Sequence, residues 1–184
     1  MGRTIMLNNL NMESIPVYIK GGSILFRKMR VRRSSKTMFN DPYTITIAPT
    51  IRSDGHTASG TIYHDDEHTL LYTFDSNSKH SSYYNVVYTT SGSIAAPTSA
   101  TIRSTSVNPV TVESYQPSNT VERVELLGQT KPPTKVVMST SKNDGNGIIE
   151  EHVLSFSYDS QRNTVTIKKP DMLIASAWTI RIEY

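Results

Sequence analysis

The sequence predicts an all-β chain folded as an antiparallel β-sandwich with few or no helices. Three observations carry that prediction. Apolar residues alternate with polar ones at a period of two in several separate segments, the mark of half-buried strands. Turn-forming clusters separate these segments at roughly the 8–12-residue spacing of sandwich folds. No stretch of about 12 residues holds a 3.6-residue apolar period, so helices are expected to be few and short.

Taken in order, Ile45 and Ile47 alternate with Thr44 and Thr46 after the turn signal Asn40-Asp41-Pro42. Ser53-Asp54-Gly55 marks a second turn. A strand ending at Tyr63 leads through His64-Asp65-Asp66-Glu67-His68 into an apolar run at Leu70, Leu71 and Tyr72, which reads as a hairpin. Asp75-Ser76-Asn77 closes that segment. Ser, Thr and Ala dominate from Thr89 to Ser106, and Gly, Asn, Asp and Lys dominate from Thr140 to Gly147, including Asn143-Asp144-Gly145. Both stretches are expected to be long solvated loops. Leu154, Phe156 and Tyr158 then alternate with Ser155 and Ser157, and Val165 and Ile167 alternate with Thr164 and Thr166, with Asp159-Ser160 between the two runs. The last segment places Trp178, Ile180, Ile182 and Tyr184 on one face and Thr179, Arg181 and Glu183 on the other. Trp178, the single tryptophan, is expected to anchor the core.

Composition narrows the function. With 184 residues, the chain is too short for a barrel enzyme of about 250 residues. It is 36% hydrophobic and 19% charged, in the globular range. No apolar run approaches the ~20 residues of a bilayer span, and Met1 to Leu10 lacks a signal-peptide pattern. With no cysteine, disulfides and thiolate chemistry are excluded. The formal charge of +3 is modest for a dedicated nucleic-acid protein.

Three groups of residues invite a functional reading. His64, Asp65, Asp66, Glu67 and His68 mix oxygen and imidazole ligands, but they lack EF-hand spacing, and the two histidines stand four apart in an expected hairpin. Capping and solvation of an acidic turn is the simpler role. Arg27, Lys28, Arg30, Arg32, Arg33 and Lys36 form a basic run that suits phosphates, yet only Phe26 and Phe39 lie near for base stacking. Tyr72, Tyr83, Tyr84 and Tyr88 offer either a sugar-stacking platform or ordinary strand packing with hydroxyls in water; packing is the expectation.

Two segments carry a family likeness. One is Ile15-Pro16-Val17-Tyr18-Ile19-Lys20-Gly21-Gly22-Ser23-Ile24 with Met29-Arg30-Val31-Arg32-Arg33-Ser34-Ser35 and Asp41-Pro42-Tyr43-Thr44-Ile45; the other is Gly60-Thr61-Ile62-Tyr63-His64-Asp65-Asp66-Glu67-His68-Thr69. Together they resemble the region that follows the catalytic barrel in glycoside hydrolase family 31 α-glucosidases, in particular the glucosidase II group. Weaker echoes lie in Val121 to Gly128, in Lys169-Pro170 and in Trp178-Thr179-Ile180. The chain departs from the pattern at Phe26, where a proline is usual, at Glu67, where a glycine commonly follows the paired aspartates, and at Ala177, where an acidic residue often precedes the tryptophan.

The resemblance implies two β domains after the barrel, proximal and distal. Residues 1–35 would be a remnant of the proximal domain with its connecting segment, and residues 36–184 the distal sandwich. Ile15, Val17, Ile19, Ile24 and Leu25 would then have lost their packing partners, so this segment is expected to self-associate or stay mobile, and a chain starting near Lys36 to keep its stability. The parent would be a retaining glycosidase, which needs two carboxyl groups about 5–5.5 Å apart. Asp65 and Asp66 are adjacent in an extended chain and point to opposite faces. The family's catalytic aspartates lie on the barrel, so no residue here inherits a catalytic, cofactor-binding or metal role and no cofactor is implied. The chain is expected to be a non-catalytic structural domain of an enzyme that removes α-linked glucose from N-glycans in the endoplasmic reticulum lumen. Its implied partners are the parent's barrel, paired through the basic run, and a regulatory β subunit, with neither nucleic acid nor membrane. The alternatives are a stand-alone carbohydrate-binding module and a nucleic-acid-binding β domain working through Arg27–Lys36.

Overall fold

A computed structural model describes residues 17–52, 55–69, 80–93, 96–107, 115–141 and 149–184. The chain runs β1 (Ser23–Arg27), a single helical turn α1 (Ser35–Met38), β2 (Tyr43–Ala48), β3 (Thr50–Arg52), β4 (Gly55–Asp65), β5 (Ser81–Ser93), β6 (Ala96–Ser106), β7 (Thr120–Leu126), β8 (Lys135–Ser141), β9 (Ile149–Val153), β10 (Ser155–Asp159), β11 (Thr164–Leu173) and β12 (Trp178–Glu183). The all-β expectation holds. No helix among the described residues is long and apolar enough to cross a membrane.

The strands join in one sheet of order β10-β11-β7-β2-β1-β4-β5-β6-β12-β8-β9, with β3 paired to β4. Most neighbours are antiparallel, but β2 runs parallel to β7 and β1 meets β4 in parallel at Ser23 and Ser59, so the sheet is mixed. It curls so that one apolar face is enclosed. Ile45, Ile47, Val124, Leu126, Val165 and Ile167 from the first limb and Ile62, Val86, Tyr88, Ile102, Ile180 and Ile182 from the second belong to one buried cluster. Gln129 ties the limbs together: the Tyr158 hydroxyl of β10 donates to its backbone carbonyl at 3.1 Å, and the Tyr184 hydroxyl after β12 donates to its side-chain carbonyl.

The alternating segments behave as their period dictates. Trp178, Ile180 and Ile182 face inward, at 2%, 0% and 0% exposure, while Arg181 and Glu183 face out. The stretch expected as a loop from Thr89 to Ser106 is instead the far half of β5 and all of β6, paired from Tyr84↔Ser106 to Ser93↔Ala96. Its inward positions, Ala100, Ile102 and Ser104, are buried. Two of the three are small or polar, which conceals the period, while threonine itself fits a pleated surface. Thr140 and Ser141 likewise end β8, and residues 142–148 and Leu70, Leu71 and Tyr72 lie outside the described residues.

β1 lies inside the sheet. It pairs with β2 at five positions, from Ser23↔Ala48 to Arg27↔Thr44, and its other edge meets β4. Ile24 belongs to the common core. The expected boundary at residue 35 thus separates two paired strands, and the partners Ile24 was expected to lack are within the chain. Leu25, Val17 and Tyr18 are exposed. The β1–β4 crossing is so close that a Cβ on Gly60 would sit 2.5 Å from the Ile24 carbonyl oxygen, so glycine is required there by contact. Gly22, which opens β1 at φ 86, is required by conformation.

Candidate functional site

The residues singled out by sequence converge on one end of the sheet, where β1, α1 and the start of β2 pack beside the tip of the β4–β5 hairpin. The chain leaves β1 through the basic run, turns at α1 and returns at Asp41. Arg32 donates to Asp41 through Nε at 2.9 Å and through an η nitrogen at 2.6 Å, a two-pronged grip on a buried carboxylate. That contact holds the Asp41 carboxyl below the usual carboxylate range. Asn119, buried just before β7, donates through Nδ2 to the carbonyls of Phe39 at 2.6 Å and Asp41 at 3.0 Å. It fixes the return loop, and nothing in the sequence around it marks it for that role.

Arg27, Lys28 and Arg30 of the basic run are also engaged inside the chain. Arg27 meets Glu125 at 3.3 Å and Thr46 Oγ1 at 2.8 Å, and Arg30 meets Glu122 at 3.1 Å. Lys28 donates to the Phe39 carbonyl at 2.7 Å and lies over the Tyr43 ring at 5.0 Å. Burial lowers its pKa, partly offset by Glu67 and Asp41. β7 supplies the carboxylates: it pairs with β2, and Glu125 and Glu122 reach across β2 to Arg27 of β1 and to Arg30 just after it. Charges read as available to another molecule therefore fasten the amino-terminal strand to its own domain.

The five polar residues from His64 to His68 at the hairpin tip take distinct roles. His64 is 7% exposed, with its ring 5.3 Å from Tyr43 and 6.3 Å from Tyr84, both edge-on, and its Nε2 has no hydrogen-bond partner. Burial, then the Lys28 charge, lowers its pKa to about 4, so it is neutral at neutral pH. Asp66 accepts from the backbone N–H groups of His68 at 3.0 Å and Thr69 at 2.9 Å and from the Thr69 hydroxyl at 2.6 Å, and it pairs with His80 at 3.0 Å. The Thr69 hydroxyl, the two backbone donors and His80 hold its pKa well down. Asp65 accepts from the Glu67 N–H at 3.1 Å. The two aspartates cap the turn, as expected, and Asp66, kept ionised by its donors, is not arranged to give a proton to a leaving group at neutral pH. Glu67, standing where the family pattern has glycine, takes φ 54, the left-handed region that glycine enters without cost. His68 is exposed, whereas His64 is buried. Among the described residues no group of three or more His, Asp or Glu side chains could hold a metal ion.

The four tyrosines do not form one platform. Tyr84 and Tyr88 are core residues at 2% and 1% exposure, and Tyr72 lies outside the described residues. Tyr83 points the other way and meets Tyr63, with ring centroids 4.8 Å apart and planes 45° apart. Tyr63, which directly precedes the acidic hairpin motif, is not distinguished by that motif. The signal that identifies it is parity: β4 and β5 pair Tyr63 with Tyr83 directly, and inward Ile62 and Tyr84 force both rings outward.

Comparison with known proteins places this geometry. No family model matches the chain. Neutral alpha-glucosidase AB of Dictyostelium discoideum is 34% identical over 171 residues, covering 93% of this chain and 16% of that protein. The human neutral alpha-glucosidase AB is 30% identical over 94% of this chain, again 16% of its own length. The glucosidase 2 subunit alpha of Schizosaccharomyces pombe is 35% identical over 66% of the chain. Among solved structures, the glucosidase II alpha subunit in its alpha3-Glc2-bound form covers 89% of this chain at TM-score 0.59 and 19% identity, which speaks for the fold. A heterodimer of the catalytic subunit with the binding domain of its regulatory subunit matches at TM-score 0.60. The chain thus spans about one sixth of the length of these relatives, and it belongs to the α-glucosidase family of neutral alpha-glucosidase AB and the glucosidase II alpha subunit, corresponding to their carboxyl-terminal part.

Proposed function

We propose that the chain is a non-catalytic structural domain of an α-glucosidase that trims α-linked glucose from N-glycans in the endoplasmic reticulum lumen, where it buttresses the catalytic barrel. The observation that carries this reading is the state of its carboxylates: Asp65, Asp66 and Asp41 are each committed to a turn or an arginine inside the chain. None is left to act as nucleophile or acid. The domain division belongs to the proposal, with a boundary amino-terminal to β1 in place of residue 35, since β1 shares the core. The barrel of the parent is the expected partner, and the regulatory subunit a second one. Binding of nucleic acid is disfavoured because Arg27, Arg30 and Arg32 already face carboxylates.

A domain exchange tests the reading. Deleting the matching region from the Dictyostelium neutral alpha-glucosidase AB is expected to abolish soluble, active enzyme, and inserting this chain in its place to restore activity. Unchanged activity after the deletion would overturn the structural role.

A further inference from the structure

The outer face of β4 and β5 is polar apart from the half-buried Val87, opposite Ser59, and one pair of aromatic rings. Thr61, Tyr63 and Asp65 project outward along β4, and Tyr83 and Asn85 along β5, opposite Tyr63 and Thr61. The two rings stand against one another, and Tyr63 remains 40% exposed. The Thr61 hydroxyl reaches Asn85 at 3.5 Å on one side of the pair, and Asp65 lies on the other. Val107, also exposed, donates its N–H to the Tyr83 carbonyl at 3.0 Å and borders the rings on the β6 side.

We propose that Tyr63 and Tyr83 form a subsite for the pyranose rings of an α-linked gluco-oligosaccharide. The chemistry selects among occupants. A protein partner held by apolar contact needs a wider hydrophobic patch than two rings and a valine provide. Nucleic acid would bring its phosphates toward Asp65 with no compensating cation on these strands. A sugar is neutral and two-faced: its C–H face packs on an aromatic ring, and its hydroxyls bond to an amide, a hydroxyl and a carboxylate of the kind found at Asn85, Thr61 and Asp65. The 45° between the rings suits a chain whose successive sugars turn, as α-linked glucose does and the flat β-1,4 chain does not. The choice of glucose as the sugar rests on the α-glucosidase reading; the presence of a sugar subsite does not.

Titration of the 15N-labelled 184-residue chain with maltotriose, with cellotriose in parallel, is the test. Saturable shifts are expected at the amides of residues 61–65, 81–85 and 107, with a smaller response to cellotriose. Tyr63→Ala should weaken maltotriose binding about tenfold, whereas Tyr63→Phe, which keeps the ring, should hold most of it. Thermal melts and Trp178 emission of each variant report whether the fold survives, and Tyr83→Ala gives a second reading should Tyr63→Ala fail to fold. No saturable shift up to millimolar maltotriose, shifts confined to another face, or unchanged affinity in both alanine variants would overturn the proposal. None of these outcomes bears on the domain exchange, so the two readings fail separately.

Discussion

Arg32 and Asp41 are nine residues apart in sequence and joined by two parallel hydrogen bonds of 2.9 and 2.6 Å, closing the loop that carries the chain from β1 into β2. The carboxylate is buried and the arginine only partly so. Removing the arginine therefore leaves a charge without its counterion in a poorly solvated place. Arg32→Ala should lower the melting temperature clearly more than Arg30→Ala, whose partner Glu122 is better exposed. Arg32→Lys should recover only part of the loss, because a lysine cannot reproduce the fork. Equal melts for the two alanine variants would show that the loop closes without this pair.

Trp178 anchors the second limb of the sheet. It sits between Ser104 of β6 and Thr140 of β8, fully inside the core although its indole N–H has no partner. Trp178→Ala should cost about 3–5 kcal/mol in denaturant unfolding. The native chain should emit at the short wavelength of a shielded indole, since it has no other tryptophan; emission at the wavelength of free indole would contradict its placement.

How far this arrangement was legible depended on side-chain size. Wherever inward positions carry large apolar residues, as at Ile45 and Ile47 or Trp178 to Ile182, the period of two announces the strand and its buried face. Along β6 the inward residues are Ala100, Ile102 and Ser104, and composition suggested a loop. The place of β1 was hidden for another reason: the parallel neighbours β4 and β7, which build the middle of the sheet, pair residues tens of positions apart and leave no local pattern. The site was half legible. Arg32, Asp41, Asp66 and His64 were noticed as types, but that the arginines turn inward to their own domain, and that Asn119 locks the return, depends on non-local pairing.

His64 gives the domain a defined acid response. Its pKa is lowered from 6.5 to about 4, by burial first and then by Lys28. Above pH 6.5 it is neutral whether the chain is folded or not and contributes nothing to pH dependence. As the pH falls toward 4 the unfolded chain takes up the proton and the folded chain resists it, so stability declines through that window, by at most about 3 kcal/mol, and levels off below it. His64→Phe should flatten the melting temperature between pH 6.5 and 4. Asp66 acts lower on the scale: its depressed pKa contributes stability above about pH 4, which is lost as the pH falls further. An unchanged pH profile in His64→Phe would mean another group controls the response.

A chain truncated to residues 36–184 loses β1 whole. β2 and β4 would each expose an edge, and the core would lose Ile24, a side chain whose removal alone costs at least about 2 kcal/mol. The truncated chain should melt lower and associate through its open edges. A truncated chain that is monomeric and melts with the full one would restore the boundary at residue 35.

The proposed non-catalytic role is tested most directly by incubating the purified 184-residue chain with a chromogenic α-glucoside. The carboxylates at the hairpin tip accept from turn donors and the proposal gives them no role as a nucleophile and acid pair, so no release above the buffer rate is predicted. Release that follows the protein through each purification step, and disappears in Asp65→Asn or Asp66→Asn, would contradict it.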